Sequence, residues 1–171
     1  VKDLDGKPLV AHAIEQCHAA REIDRTVVST EDDEIATVAE EYRGDVPFER
    51  PDELATDTAT ADEVVRHVLD RFEQCDTTFD IVCMVFTTTP FRSPDDRDEA
   101  VRKLETTSAQ SVVGVTDFDH PPFYAVDTDG DGNLYPYFDD DALWGVTRSQ
   151  AFASLQCPNG AIFVADVDAL Y

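Results

Sequence analysis

Residues 50–60, Arg50-Pro51-Asp52-Glu53-Leu54-Ala55-Thr56-Asp57-Thr58-Ala59-Thr60, set one guanidinium and several hydroxyls just ahead of a helical pattern. Free backbone N–H groups at a helix N-terminus favour an anion, so these residue types suit a phosphate. The same string also fits an ordinary loop before a capped helix, because Glu63 follows Thr60 at capping-box spacing. A second group, Thr87-Thr88-Thr89-Pro90-Phe91-Arg92, ends the apolar run 81–86 with hydroxyls and a cation. A third is rich in aspartate. Asp127, Asp129 and Asp131 fall at positions one, three and five of a calcium loop, and Gly132 at six. Position twelve should be a bidentate glutamate but is Phe138, so a hairpin turn on an acidic surface fits better. His12 and His67 lie in helical patterns and His120 precedes Pro121-Pro122. None has the Ser or Cys partner of a nucleophilic triad, which favours structural roles.

The elements that carry these groups follow from periodicity. Leu9, Val10, Ala13, Ile14 and Cys17 mark one face of a first helix, and Ile35, Val38, Ala39 and Tyr42 one face of a second. Residues 25–30 between them read as a short strand rich in β-branched side chains. A third helix starts at Thr60, with Val64, Val65, Val68, Leu69 and Phe72 as its buried stripe. The run 81–86 reads as a strand buried on both faces. Ser93 and Pro94 then supply an N-cap and a first-turn proline for a fourth helix, packed through Ala100, Val101 and Leu104. Residues 110–116 form another strand. Residues 123–126 and 134–138 form a hairpin, and 161–165 a last strand after a Pro158-Asn159-Gly160 turn.

Strands alternating with helices give an α/β class: a three-layer α/β/α architecture around a mostly parallel sheet, with a small β-hairpin insertion. Ligands of such sheets collect at the carboxyl ends of the strands. That puts the Ser29-Thr30-Glu31 turn and residues 87–92 on the functional edge.

Composition bounds the partners. The 171 residues fit a single domain, 1–171, and carry 37 acids against 13 Lys and Arg, a net charge of −24. Phosphate contacts with nucleic acid need a basic surface, so that partner is excluded. The acids are spread through amphipathic segments, as in a protein adapted to high salt, where screening shortens to ~3 Å at 1 M. No apolar run approaches the ~20 residues that cross a bilayer, and no basic-then-apolar leader opens the chain. The expectation is a soluble, cytoplasmic protein without a membrane partner. Cys17, Cys75, Cys83 and Cys157 are scattered, which fits neither a metal knuckle nor a disulfide framework.

Taken in order, several blocks resemble the acylneuraminate cytidylyltransferase family. They are residues 23–31, 46–51 and 53–59, then Thr88-Thr89-Pro90-Phe91-Arg92, Thr147-Arg148-Ser149-Gln150 and Cys157-Pro158-Asn159-Gly160-Ala161-Ile162-Phe163. The resemblance implies a nucleotide-diphospho-sugar-transferase-like fold, a homodimer, and CTP with a nonulosonic (sialic-acid-like) sugar acid as substrates. It also implies Mg2+, with the phosphate-loop strand and the metal-holding aspartates expected outside residues 1–171. By the match, Arg50, Ala59 and Thr60 lie along the nucleotide. Thr88, Thr89, Arg148, Gln150 and Asn159 face the sugar acid, with Arg148 suited to its carboxylate and to a catalytic role. Phe86 stands where the family commonly has glutamine, and Ala61 where it has a hydroxyl.

Two other readings fit parts of the sequence. One is an enzyme for an eight-carbon ulosonate, whose family carries a Gln-Gly-Asp-Glu-Pro-like turn where this chain has Thr87-Thr88-Thr89-Pro90. The other is a catalytically inactive dimerising or ligand-binding module of the same fold.

Overall fold

Asp5 and Gly6 both take left-handed backbone, φ 53° and 73°, the conformation that a two-residue type I′ turn asks of an Asp-Gly pair. They join strand β1 (Asp3–Leu4) antiparallel to β2 (Lys7–Pro8). The computed structural model, which describes residues 1–138 and 154–171, continues with helix α1 (Leu9–Ala19), burying Val10, Ala11, Ala13, Ile14 and Cys17. Helix α2 (Asp33–Glu41) is capped by Asp32, whose carboxylate accepts from Ile35 N at 2.9 Å. Helix α3 (Ala61–Glu73) and strand β3 (Ile81–Met84) follow, then helix α4 (Pro94–Thr106) and strand β4 (Ser111–Asp117). Short strands β5 (Val126–Thr128) and β6 (Leu134–Pro136) precede a long β7 (Gln156–Asp166). Among the described residues no helix is long and apolar enough to cross a membrane.

The chain divides into two compact units. The first comprises Val1–Gly114 with Gly160–Tyr171 and has two apolar centres. In one, Ala100, Val101 and Leu104 of α4 meet Ile162 and Val164 of β7; in the other, Val10 and Ile14 of α1 meet Ala39 of α2. The second unit, Val115–Asn159, holds the β5–β6 hairpin. Its turn is organised by Asp129, whose carboxylate accepts from the backbone N–H of Asp131 and Asn133, the Asn133 amide and the Tyr135 hydroxyl, all within 3.0 Å. Those bonds, the Asn133 amide foremost, pull the Asp129 carboxyl down to about 2. The aspartate-rich segment is thus a hairpin turn.

The α/β class and all four helices stand as the sequence indicates; several strands differ. Residues 25–30 form no continuous strand but two isolated parallel bridges, Val27↔Asp45 and Thr30↔Glu49. Their β-branched side chains extend the backbone, yet the pairing is interrupted and no ladder builds. The apolar run 81–86 becomes β3 only through Met84, and all four of its residues are half-buried, because β3 ends the strand order β3-β7-β4. β3 pairs antiparallel with β7, from Ile81↔Asp166 to Met84↔Phe163, where the sequence suggested mostly parallel neighbours. Pro158, Asn159 and Gly160 do not turn the chain. They lie inside β7, and Gly160 (φ 68°) absorbs the irregularity that its neighbours would resist. In the hairpin, Phe123 and Tyr124 belong to a 3-10 turn (Pro122–Tyr124) rather than to a strand.

Gly44 closes the end of α2. Its N–H donates to Ala39 O at 2.8 Å, and a Cβ there would lie 2.7 Å from Ile14 Cδ1 and 3.1 Å from Ala39 O. Ile14 is 2% exposed and cannot swing away. Gly44→Ala is therefore expected to cost about 1–3 kcal/mol by overpacking, read as a lowered midpoint in urea unfolding with an unchanged slope.

Candidate active site

Thr30 and Arg50 meet through the backbone. Arg50 N donates to Thr30 O at 3.0 Å beside the Thr30↔Glu49 bridge. This contact turns Arg50 toward Glu31, whose Oε2 accepts from Arg50 Nε at 2.9 Å and also from its NH2 group. The Arg50 hydrogen bond holds the Glu31 carboxyl below the usual carboxylate range. The pair is partly exposed, with side-chain exposures of 24% for Arg50 and 33% for Glu31. The guanidinium is thus positioned and half-neutralised by a residue on the turn that the sequence placed at the functional edge.

From Arg50 the chain passes through a 3-10 turn (Asp52–Leu54) to Ala59, whose N–H donates to Thr56 O at 3.1 Å. Thr60 then caps α3. Its N–H and hydroxyl both donate to Glu63 Oε2, at 2.7 and 2.8 Å, while Glu63 N donates back to Thr60 Oγ1 at 3.3 Å. The capping box therefore engages the Thr60 hydroxyl, and Asp62 and Glu63 add negative charge to the same first turn. Thr60, Ala61 and Asp62 instead border an open cavity of about 260 Å³, lined also by Val65, Val82, Met84, Phe163 and Leu170. Its walls are largely apolar, which suits a flat ring better than a triphosphate.

The loop after β3 treats the two threonines assigned to the sugar acid differently. Thr88 is exposed. Thr89 Oγ1 lies 3.1 Å from Phe86 O and 3.2 Å from Gly160 O, so it is tied into the loop and to β7. Phe91 projects outward, 91% exposed. Beneath the loop sits its own cation, Arg92, together with Arg97 of α4, which the sequence reading did not single out. Arg92 is 6% exposed, and Arg97 of α4 is 0% exposed. A signal for Arg97 was present: it lies three, four and seven residues before Ala100, Val101 and Leu104, squarely on the apolar stripe of α4. A cation there is buried by the period itself. Asp98, 1% exposed, accepts from Arg21 N at 2.8 Å and Glu22 N at 3.0 Å and so fastens the end of α1 to α4.

Asn159 lies in β7, with its side-chain amide 3.4 Å from Val115 O. Arg148 and Gln150 lie outside the described residues. His12 Nε2 is bonded to Leu4 O at 3.0 Å, in keeping with a structural role.

The cytidylyltransferase family model matches residues 1–135, which include both the 50–60 segment and the loop after β3. The chain belongs to the cytidylyltransferase family. Among curated relatives, it is 37% identical over 131 residues to the CMP-N,N'-diacetyllegionaminic acid synthase of Legionella pneumophila, covering 77% of this chain and 56% of that protein. It is 31% identical over 164 residues to the N-acylneuraminate cytidylyltransferase of Escherichia coli, covering 95% of this chain and 37% of that one. The chain thus spans about half the length, or less, of these relatives. A solved structure of CMP:2-keto-3-deoxy-manno-octonic acid synthetase complexed with CTP shares the fold. Its TM-score is 0.70 at 14% identity, over 99% of this chain and 67% of that one. In this family member, among the described residues, no group of three or more His, Cys, Asp or Glu side chains gathers as a metal site.

Proposed function

We propose that this cytidylyltransferase transfers CMP from CTP to a nonulosonic sugar acid. In that reaction the anomeric hydroxyl of the acid attacks the α-phosphorus of CTP. A new P–O bond forms, the bond to the β-phosphate oxygen breaks, and pyrophosphate leaves as the hydroxyl proton is lost. The observation that carries the reading is the family match across residues 1–135, joined to relatives that act on legionaminic and neuraminic acids. The segment Thr87-Thr88-Thr89-Pro90 supports a nine-carbon rather than an eight-carbon acid.

Such chemistry asks a protein for positioning and charge neutralisation more than for a nucleophile. Arg50, oriented by Glu31, would lie along the nucleotide with Ala59 and Thr60, and the apolar cavity beside Thr60 would take the flat cytosine ring. Thr88, Thr89, Gln150 and Asn159 would face the sugar acid, and Arg148 would clamp its carboxylate with a planar fork. CTP enters as its magnesium complex. The described residues do not themselves gather a metal-binding cluster.

The test is pyrophosphate release by the complete gene product, with each nucleoside triphosphate and each acid offered in turn. CTP with a nonulosonic acid should turn over, and 3-deoxy-manno-octulosonate or a hexose phosphate should be poor acceptors. Equal turnover with ATP or UTP rejects the reading. Arg148→Ala should weaken the sugar acid by about 1.5–3 kcal/mol, the worth of a charge-assisted contact, and leave CTP little changed. Arg50→Ala should show the opposite bias, and equal losses for both ligands would remove these assignments.

A further inference from the structure

Two guanidiniums lie buried under the loop after β3, and among the described residues neither has an acidic partner. Burying a charge without a counter-ion is costly, so each cation must be held by dipoles. Those dipoles identify what the cations hold. Arg92 NH1 donates to Phe86 O at 2.7 Å and also to the carbonyl and hydroxyl oxygens of Thr89. Arg97 NH1 donates to Gln16 O at 3.2 Å, and its NH2 to Gln16 Oε1 at 3.2 Å. Gln16, on α1, passes the contact on: its Nε2 donates to Pro90 O at 2.6 Å. Burial, with the neighbouring Arg97, lowers Arg92 to about 10, so it still carries its charge at neutral pH.

Three carbonyls of one short loop, those of Phe86, Thr89 and Pro90, are thus pulled inward onto Arg92 and Gln16, with Arg97 holding Gln16 from α4. The opposite side of the loop presents exposed Phe86, Thr88 and Phe91. Among the described residues, neither Arg92 Nε nor NH2, nor Arg97 Nε, has a hydrogen-bond partner. The fold thus leaves part of each cation unused, and the bonds that they do make run to the loop and to Gln16.

We propose that Arg92, Gln16 and Arg97 are positioning residues that fix the shape of residues 86–91, and that this shape sets how tightly the sugar acid binds while leaving the nucleotide untouched. The inference rests on the proposed function in one respect, that this loop faces the sugar acid.

Gln16→Glu is the discriminating variant. It keeps an oxygen for Arg97, which becomes an ion pair, but replaces the donor to Pro90 O with a second acceptor. Arg92→Lys is its companion, since one ammonium cannot reproduce the planar fork across Phe86 and Thr89. Both are made in the complete protein and compared with wild type by substrate kinetics and by amide hydrogen exchange of residues 86–91. The expected result is faster exchange confined to the loop, KM for the sugar acid raised about tenfold, as losing one hydrogen bond implies, and KM for CTP within about twofold. Gln16→Met, which loses both contacts of the side-chain amide, should do at least as much, and Gln16→Asn should recover part of the loss. Unchanged exchange in the loop, or KM values for both substrates that move together, overturns the inference. A wild-type protein that turns over no sugar acid with CTP defeats the proposed function itself, before any variant is compared.

Discussion

Phe72→Ala is expected to lower the melting temperature more than any other single apolar truncation near the candidate site. Phe72 is 4% exposed. It stands edge-on to Phe48 at 4.9 Å between ring centroids and to Phe79 at 5.2 Å. Arg25 lies 4.5 Å over its ring, and Arg71 lies 5.1 Å over Phe48. Truncating a buried Phe costs about 3–5 kcal/mol through lost transfer energy and the cavity left behind. Each lost aromatic pair adds about 0.5–1.5 kcal/mol. For a chain of this size 1 kcal/mol moves the midpoint by about 2–4 °C, so the truncation cost alone gives a fall of roughly 6–20 °C by calorimetry, and the lost ring pairs deepen it. Phe72→Leu should lose less than half as much. A midpoint within about 2 °C of wild type for Phe72→Ala would show that α3 is not anchored through this ring. The consequence reaches the site. Phe48 precedes Arg50 by two residues, and α3 carries the Thr60 cap and one wall of the apolar cavity.

The same helix shows how far the sequence carries. The Thr60–Glu63 capping box was readable because it is a local pairing of two side chains with two amides, and it forms as written. The apolar period of α3 was equally readable. Its burial was not: Val64, Val65, Val68 and Leu69 are only half-buried, and Phe72 alone is fully covered. Periodicity states which face turns inward, whereas coverage depends on what the rest of the chain lays against it. β7 shows the converse. Pro158-Asn159-Gly160 has turn composition, but hydrogen bonding across the sheet carries the strand through it, because Gly160 accepts a positive φ. For the candidate site, the ordered blocks pointed to the Arg50 segment and the loop after β3. They did not reveal that Arg50 is bound by Glu31 or that Thr89 is tied to Phe86 and to Gly160 of β7, since both facts are tertiary. Arg97 was readable in principle. A charged residue on an apolar stripe asks to be explained by a buried network, and Gln16 and Pro90 supply that network.

The largest change in stability is expected from salt rather than from any mutation. We propose that the net charge of −24 adapts this protein to high ionic strength, and the surface supports that reading. The outward faces of the helices carry Asp33, Glu34, Glu40 and Glu41 on α2, Asp62, Glu63, Asp70 and Glu73 on α3, and Asp95, Asp96, Glu99 and Glu105 on α4, all exposed. Several cations that could offset them are already committed: Lys7 to Glu15, Arg25 to Asp45, Arg50 to Glu31 and Arg66 to Asp62. Arg92 and Arg97 are buried and give little screening to the surface. Repulsion among the remaining acids acts across a Debye length of about 3 Å at 1 M salt but about 30 Å at 0.01 M. At low salt each helix face therefore feels charges on its neighbours, and the compact state is disfavoured against an expanded one that separates them. Replacing molar potassium chloride with dilute buffer at pH 7 should lower the melting temperature by well over 10 °C and expand the chain in small-angle scattering. Sucrose at matched osmolality should restore less of the lost stability than the salt does, because it is excluded from the surface but adds no ions to screen the acids. Lowering the pH toward 4 at low salt should partly restore it by protonating exposed carboxylates, an opposite response to that of most acid-sensitive proteins. A melting temperature that stays flat from molar to dilute salt would show that the acids are spaced widely enough not to interact, and the high-salt reading would be lost.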